Sequence, residues 1–517
     1  MVDKLKISYI LSILGAVLIL LPLVFMVVML LNSEASSNWV FIRDFALRGV
    51  LTNTAIVTVL SALSAGFVGT ILAILMSLYD FPLKKILNIF LVLPLALPPY
   101  IAAFSYVRLL SFTGPVQVFL RTNFNTTGDL FSIMNIPGAV FIFTITLYPY
   151  VYLIAKAFLQ RGSGSIIENA RLLGGTKLII FAKVVLPIMI PAIMAGATLV
   201  GLEVLNDYGV TSYFGVRTLS VLILQAWHGM FDLNLAVRVS ATTVGFVLFF
   251  VLIMRLLAND KKYRIVSSKE RALNAVPLKS YKAIMAIGLC LIVSFISFFV
   301  PVIQMIAWTN NVNIAAIAGF ALNSVYVAAL GTIVIIVFSL LLANTNRYAN
   351  RYMRSFFKLT TYGYALPSSV LAIGVIVTVQ TGGFSLWVLI FAYFVKYFAL
   401  GFGIIERGFV RTGNIYTENA RTLGVSPIKA FFKVDVFMVK NFIISGGILV
   451  FVDLLKELPL TLVLRPFNFD TLSTRVYMFA INEQIAEAAP FSLGIILISA
   501  VFIIIANHFV EEWIKNV

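Results

Sequence analysis

Six ionisable side chains stand within or beside long apolar segments of this sequence. They are Glu203, Asp207, Lys396, Asp453, Lys456 and Glu457. Charged groups in apolar segments are costly, and they usually face a cavity or pair with one another. Asp453, Lys456 and Glu457 are spaced i, i+3 and i+4, so on a helix they share one face. The pattern predicts a polar solute pathway or its gate. The alternative is an internal ion pair, such as Lys396 with Asp453 or Glu457, that only joins two helices.

A polar seven-residue motif occurs twice, 250 residues apart, and is a candidate docking surface. It reads ENARLLG over 168–174 and ENARTLG over 418–424. A glycine that follows a helix-forming stretch is typical of a short helix ended by a turn. Arg171 and Arg421 would also suit a loop held by lipid headgroups. Docking to a protein is the better interpretation, because lipid contact does not require the same motif at two places.

Catalytic and metal-binding chemistry are both poorly represented in the rest of the chain. Cys290 is the only cysteine, and two histidines leave little for an imidazole metal site. We therefore predict no metal site, no bound cofactor and no disulfide within the chain. No Gly-Lys dipeptide occurs, so the phosphate-binding loop of ATPases is absent from the sequence. An integral-membrane enzyme is thus the least favoured class of function.

The composition places these residues in a membrane protein. Of the 517 residues, 61% are apolar and 11% are charged, whereas soluble domains average about 45–50% and about 25%. A bilayer core about 30 Å thick needs roughly 20 apolar residues per helix. The sequence predicts an all-α integral membrane protein of about twelve spans. They lie near 7–31, 50–78, 86–108, 138–160, 185–206, 237–257, 283–308, 322–344, 360–380, 384–405, 440–462 and 491–509.

The net charge of +17 is explained by orientation better than by a nucleic-acid partner, which we do not expect. With the N-terminus in the cytoplasm and alternating spans, 28 of the 38 Lys and Arg residues fall on the cytoplasmic side. Basic residues resist translocation, so this asymmetry predicts that both termini are cytoplasmic. The most basic segment, 259–282, reads as a cytoplasmic linker between two transmembrane domains, 1–258 and 283–517.

The two domains also read as a repeat. Besides the duplicated motif, Asn53-Thr54 matches Asn323-Ser324, and Thr218-Leu219-Ser220 matches Thr471-Leu472-Ser473. Six spans per repeat return the chain to the same side, so the two six-helix repeats are parallel. Parallel halves of this kind usually enclose a central pathway, which predicts a transporter.

The repeated motif resembles the EAA loop of permeases in ATP-binding-cassette (ABC) importers, which inserts into a cytoplasmic ATPase. Leu186-Pro187 follows the first copy as in that family, whereas Val436-Phe437 stands at the second. The resemblance implies the type I ABC importer permease fold, with the two loops near 162–187 and 412–437. It also implies ATPase contacts in both copies. These residues are Glu168, Ala170, Arg171 and Gly174 in the first loop, and Glu418, Ala420, Arg421 and Gly424 in the second.

Two further stretches resemble ferric-iron importer permeases. They are KELPLTL at 456–462 with LRPFNFDTL at 464–472, and NDYG at 206–209. The resemblance implies a permease of the bacterial cytoplasmic (inner) membrane that contacts lipid. It also implies two copies of an ABC ATPase, which hold ATP and magnesium, and a periplasmic or lipid-anchored solute-binding protein. Related importers carry thiamine, sugar phosphates or phosphonates. A secondary transporter driven by an ion gradient is the remaining alternative.

Overall fold

The computed structural model is a bundle of helices whose long members are long enough to cross a membrane. It describes residues 2–125, 128, 131–162, 164–258, 275–309, 314–379 and 383–515. The α-helices of the first half are α1 (Val2–Asn32), α2 (Ser37–Phe45), α3 (Leu47–Leu78), α4 (Lys84–Val92), α5 (Pro99–Leu110), α6 (Pro115–Phe124), α7 (Ile136–Gly162), α8 (Gly164–Leu172), α9 (Lys177–Ile180), α10 (Leu186–Asn206), α11 (Gly209–Tyr213), α12 (Leu219–Leu224) and α13 (Leu233–Ala258).

The second half continues with the same kinds of element. Its α-helices are α14 (Tyr281–Ser294), α15 (Val300–Trp308), α16 (Ile314–Tyr348), α17 (Arg351–Leu359), α18 (Ser368–Val379), α19 (Leu386–Thr412), α20 (Ile415–Thr422), α21 (Pro427–Ala430), α22 (Val436–Met438), α23 (Lys440–Leu455), α24 (Pro459–Leu464), α25 (Leu472–Ile481) and α26 (Ile485–Lys515). Short 3₁₀ segments cover Leu93–Ala96 and Thr360–Ala365, and π-helical segments cover Phe181–Val185, Gln225–Gly229, Phe295–Phe299 and Phe431–Asp435.

The number of membrane spans agrees with the sequence. Among the described residues, nine helices are long and apolar enough to cross a membrane. Three further helix pairs pass the same test together but are bent, and counting each pair as one span gives twelve. The all-α membrane fold predicted from composition is therefore confirmed.

Two of the bent spans occupy equivalent places, the third span of each half. The bends are 93° between Ala96 and Pro99 and 114° between Ala365 and Ser368. Leu97 and Leu366 each precede a proline and adopt extended backbone, with ψ of 108° and 136°. The proline ring disfavours helical backbone at the residue before it, so the helix stops there. The repeated Ala-Leu-Pro sequence thus encodes the same corner twice.

Three equivalent helices form the centre of each half. In the first half α3, α7 and α10 pack against one another, and in the second half α16, α19 and α23 do the same. Their contacts are apolar and tight, as expected where lipid offers no hydrophobic drive for helix association. The duplicated motifs 168–174 and 418–424 lie in α8 and α20 and the turns that end them, ahead of α10 and α23, on the face of the bundle that we call the loop face.

The repeat extends to individual hydrogen bonds. In each half an asparagine amide donates to a backbone carbonyl of the segment after the fifth span. In each half the next residue's hydroxyl also accepts from a backbone amide there. The four bonds are Asn53 to Arg217 O (3.2 Å), Asn323 to Asp470 O (3.1 Å), Leu219 N to Thr54 Oγ1 (3.0 Å) and Leu472 N to Ser324 Oγ (2.7 Å). The landmarks matched in the sequence are thus matched in space.

The predicted linker is described only at its end. Residues 259–274 lie outside the described part of the chain. The short strand β2 (Val276–Pro277) follows them and pairs in parallel with β1 (Tyr79–Asp80), which comes directly after α3. Leu278 N also donates to Asp80 O at 2.8 Å. The start of the second half is therefore attached to the end of α3 on the loop face.

Candidate functional site

A small cavity lies between the two central helix triads. Its walls come from both halves: α7 and α10 on one side, α19 and α23 on the other, with the proline corner before α5. All six ionisable residues singled out in the sequence line it, which are Glu203, Asp207, Lys396, Asp453, Lys456 and Glu457. Glu203 and Asp453 lie near the C-terminal ends of α10 and α23. The cavity is therefore displaced toward the face opposite the loops.

Two of the acids, Asp207 and Glu457, are equivalent in the repeat and perform the same structural task. Asp207 Oδ1 accepts from Val210 N at 2.9 Å. Glu457 Oε1 accepts from Leu460 N at 3.1 Å. Each carboxyl group thus caps the short helix that follows it, α11 or α24, and satisfies an amide that the helix leaves without a partner. Tyr397 OH donates to the second oxygen of Glu457.

Lys396 is the one basic group that reaches the cavity from α19. It is only 3% exposed, and its ammonium donates to the carbonyl oxygens of Leu366 and Tyr364 and to Asn206 Oδ1. In the part of the chain that the structure describes, Lys396 forms no ion pair with Asp453 or Glu457. The ion pair between Lys396 and Asp453 or Glu457, which the sequence suggested, is therefore not formed among the described residues. The carbonyls exposed by the proline corner at Leu366 take its place.

The two remaining acids bind different partners. Tyr364 OH, from the second half, donates to Glu203 Oε1 of the first half at 2.9 Å. Asp453 Oδ1 lies 2.8 Å from Lys456 Nζ, three residues along α23. Asn206 Oδ1 also accepts from Ser368 N at 2.6 Å. The cavity is thus closed by hydrogen bonds that cross from one half to the other, which any opening of the halves must break.

Sequence reasoning missed the neutral polar part of the cavity wall. Five tyrosines and one asparagine line it: Tyr100, Tyr150, Tyr208, Tyr364, Tyr397 and Asn206. Tyr100 is buried, and no described residue hydrogen-bonds its hydroxyl. Tyr100 follows the Ala-Leu-Pro landmark, and Asn206 and Tyr208 flank Asp207, so position beside the repeated motifs is the signal that identifies them. Together they surround the cavity with oxygen atoms.

The six ionisable groups that line the cavity are held by partners within the protein. Within the described residues, no three His, Cys, Asp or Glu side chains converge to hold a metal ion. Each of the six ionisable groups already has a partner inside the protein. A solute would therefore have to exchange these partners, and exchange of this kind suits brief binding.

The duplicated motifs form two surface loops with the same backbone geometry. Gly174 and Gly424 have φ of +79° and +82°, a region that side chains with a Cβ disfavour. The amide of the following residue, Gly175 or Val425, donates to the carbonyl of Ala170 or Ala420 at 3.1 Å in both loops. This bond across the turn is the usual way to end a helix at a glycine.

Both loops expose apolar side chains next to their polar motif. Leu172, Leu173 and Leu423 are 84%, 88% and 84% exposed. Glu418 is exposed and Glu168 is half-buried. The side chain of Arg171 lies outside the described residues, whereas Arg421 is half-buried. These leucines are the apolar part of the candidate docking surface, and their place in the motif is a signal that the sequence alone contains.

The two loops differ in how they return to the membrane. Both enter through a π-helical segment, Phe181–Val185 or Phe431–Asp435. In the first half α10 then continues without a sharp bend. In the second half the chain bends by 71° at Val439 before α23 begins. The departure from Leu-Pro at Val436-Phe437 thus accompanies a real difference between the halves.

Comparison with known families agrees with this architecture. The family described as "Binding-protein-dependent transport system inner membrane component" matches the chain twice, over residues 65–260 and 335–512. The chain belongs to this family. It is therefore a multi-pass membrane permease with the type I ABC permease fold present in two copies. Membership argues against the secondary transporter.

Individual relatives cover the chain to different extents. The Fe(3+)-transport system permease protein FbpB 2 of Haemophilus influenzae is 23% identical over 466 residues, covering 87% of this chain and 88% of the relative. The sulfate transport system permease protein CysT of Salmonella typhimurium is 27% identical over 37% of this chain and 68% of its own length. The putative 2-aminoethylphosphonate transport system permease protein PhnU of the same organism is 22% identical over 43% and 76%.

Proposed function

We propose that this permease imports ferric iron. The observation that carries the proposal is the cavity, which combines four carboxyl groups and five tyrosines with two ammonium groups. Ferric iron is a hard cation, and hard cations prefer oxygen ligands. Four carboxyl groups against two ammonium groups suit a cation better than an anion. The relative that covers 87% of the chain is named for Fe(3+) transport, in agreement with this preference.

The two loops are the sites at which ATP hydrolysis would drive transport. We place the loop face and both termini in the cytoplasm, with one ABC ATPase on residues 168–174 and a second on 418–424. ATP and magnesium belong to these ATPases and not to this chain. Closure of the ATPases would move both loops. Through α10 and α23, this movement would break the hydrogen bonds that cross the cavity from one half to the other. A solute-binding protein on the opposite face would deliver the iron.

Import of an oxyanion is the second candidate, because two relatives are named for sulfate and 2-aminoethylphosphonate. Lys396 is the residue that would serve it. Lys396 lines the cavity, and protein ammonium groups bind oxyanions as point charges. In this structure the ammonium donates to two carbonyls and an asparagine. An oxyanion would have to displace these acceptors in a cavity that holds four carboxyl groups.

Reconstitution separates the two candidates. The permease, its ATPase and its binding protein are placed in liposomes, and uptake of radioactive ferric iron and of radioactive sulfate is measured with and without ATP. We expect uptake of iron that requires ATP, and none of sulfate. Uptake of sulfate without iron would overturn the proposed solute. Uptake of iron without the ATPase would overturn the proposed mechanism. As a control for docking, Glu168→Ala with Glu418→Ala should abolish co-purification of the ATPase.

A further inference from the structure

A single buried arginine connects the second loop to the membrane. Arg347 lies at the C-terminal end of α16, and its Nη1 is 2.8 Å from Asp435 Oδ1, with side chains only 6% and 7% exposed. Its Nε donates to Asn414 Oδ1 at 2.9 Å and its Nη2 to Gly413 O at 2.7 Å. Thr417 Oγ1 donates to the same Asp435 oxygen at 2.5 Å. One guanidinium therefore joins α16 to three other segments of the chain.

These segments are the parts that must move together if the loop transmits force. Asn414 and Thr417 belong to the docking helix α20 and its start, Gly413 ends α19, and Asp435 ends the π-helical segment before α23. A guanidinium presents its donors in a rigid planar fork. Because the pair is buried, solvent and salt screen it little. Sliding of α20 against α16 would break several bonds at once.

The first loop has none of these groups at the equivalent positions. Counting back by the repeat offsets, Arg347 corresponds to Ser77, Thr417 to Ile167 and Asp435 to Val185. These three side chains are 4%, 2% and 2% exposed, so they are buried as well. Apolar packing is non-directional and tolerates small shifts between neighbours better than a fixed set of hydrogen bonds does. The same place in the fold is thus a polar bridge in one half and an apolar contact in the other.

We propose that Arg347 is a positioning residue that fixes the second docking loop to the eighth span. The first loop is held more loosely, so the two loops do not respond equally to their ATPases. The attachment of the loop by Arg347 follows from the geometry alone. The unequal response of the two loops rests on the proposed function, because it requires an ATPase on each loop.

Attachment can be measured on the purified permease without any partner. Leu173 and Leu423 are equivalent and similarly exposed, and the natural Cys290 is buried. Leu173→Cys and Leu423→Cys therefore each provide one accessible site for a spin label, in the full chain. We expect the label at position 423 to be less mobile than the label at position 173. Equal mobility at the two sites would overturn the proposal.

A second variant copies the first half into the second. Arg347→Ser with Thr417→Ile and Asp435→Val installs the residues that the first half already folds with, so no buried charge is left unpaired. We expect the label at 423 to become as mobile as the label at 173. Ser77→Ala is the matched control in the first half and should leave both labels unchanged. Retained immobility at 423 in the triple variant would show that the bridge does not fix the loop.

The unequal response is tested in the reconstituted importer. In the triple variant the ATPase should still co-purify, because the docking motif is intact, while solute transported per ATP falls by about five-fold or more. An unchanged ratio together with a mobilised loop would overturn the unequal response but not the attachment. If the unaltered permease fails to bind an ATPase, the proposed function is wrong, whereas the spin-label result still decides the attachment.

Discussion

The two halves of this permease share a backbone and differ in charge. Both halves have the proline corner, the capping carboxyl group, the glycine turn and the π-helical entry to the fifth span of the repeat. The second half alone has a lysine at the cavity-lining position of its fourth span and an arginine bridge under its loop; the first half has Thr146 and Ser77 at the equivalent positions. The shared features set the geometry of a pathway. The charges that only the second half carries, on Lys396 and Arg347, give the two halves different roles.

Removal of the unshared lysine is the strongest test of this difference. Lys396→Met keeps the length of the side chain but removes the ammonium. Two carbonyl oxygens and Asn206 then lose a donor, and an unsatisfied buried group costs about 1–3 kcal/mol. The carboxyl groups of the cavity also lose a neighbouring positive charge. We expect ATP-dependent uptake to fall by about ten-fold or more while the ATPase still co-purifies.

Thr146→Val at the equivalent position of α7 is the matched control. Thr146 Oγ1 only returns a hydrogen bond to Ile142 O of its own helix, a bond that adds little to helix stability. Uptake should stay close to that of the unaltered permease. A loss of uptake in Thr146→Val as large as in Lys396→Met would show that the two halves contribute equally to transport, and that the charge of Lys396 does not distinguish them.

The two glycine turns give a test of what the halves share. Gly174→Ala and Gly424→Ala each force a Cβ into left-handed backbone, at a cost of about 1–2 kcal/mol. No neighbour lies within 4 Å of either added atom, so the cost is local and should be the same. We expect each variant to weaken ATPase binding by about five- to thirty-fold, measured by titration of the ATPase onto the detergent-solubilised permease.

Double substitution sharpens this comparison. If the two sites are independent, Gly174→Ala with Gly424→Ala should lower binding at both without further interaction between them. An effect confined to one loop would mean that the common turn is not used in the same way on both sides. The bridge at Arg347 would then influence docking itself as well as the transmission of movement.

The sequence predicts features that depend on one residue type or a short local pattern. Twelve spans follow from apolar length, and the corners follow from Leu97 and Leu366 before proline. The cavity could also be predicted, since charges such as Glu203 and Lys396 rarely face lipid. The partners of those charges could not. Lys396 donates to carbonyls freed by a corner thirty residues away, which depends on how two helices cross.

The ion pair between Arg347 and Asp435 is a second feature whose partners could not be predicted from the sequence. Arg347 and Asp435 appear in the sequence as ordinary basic and acidic residues of cytoplasmic loops. Their pairing depends on the tertiary structure around the π-helical segment Phe431–Asp435, at whose end the Asp435 side chain is buried. The repeat itself contains a usable signal for this ion pair. Arg347 aligns with Ser77 and Asp435 with Val185, and both first-half residues are buried, which is unexpected if the charged residues lie on a solvated loop. Aligning the halves residue by residue would have identified it.

The smallest expected effect comes from the hydrogen bonds that the halves share. Thr54 and Ser324 are buried and each accepts a backbone amide, at 3.0 and 2.7 Å. Thr54→Val and Ser324→Ala each leave that amide without an acceptor, which costs about 1–3 kcal/mol. Since neither hydroxyl lines the cavity, we expect a similar small decrease in the Tm of the detergent-solubilised permease for both variants, and ATP-dependent uptake near normal. A Tm decrease in only one of them would show that the shared scaffold is itself unequal, and that charge is not the main distinction between the halves.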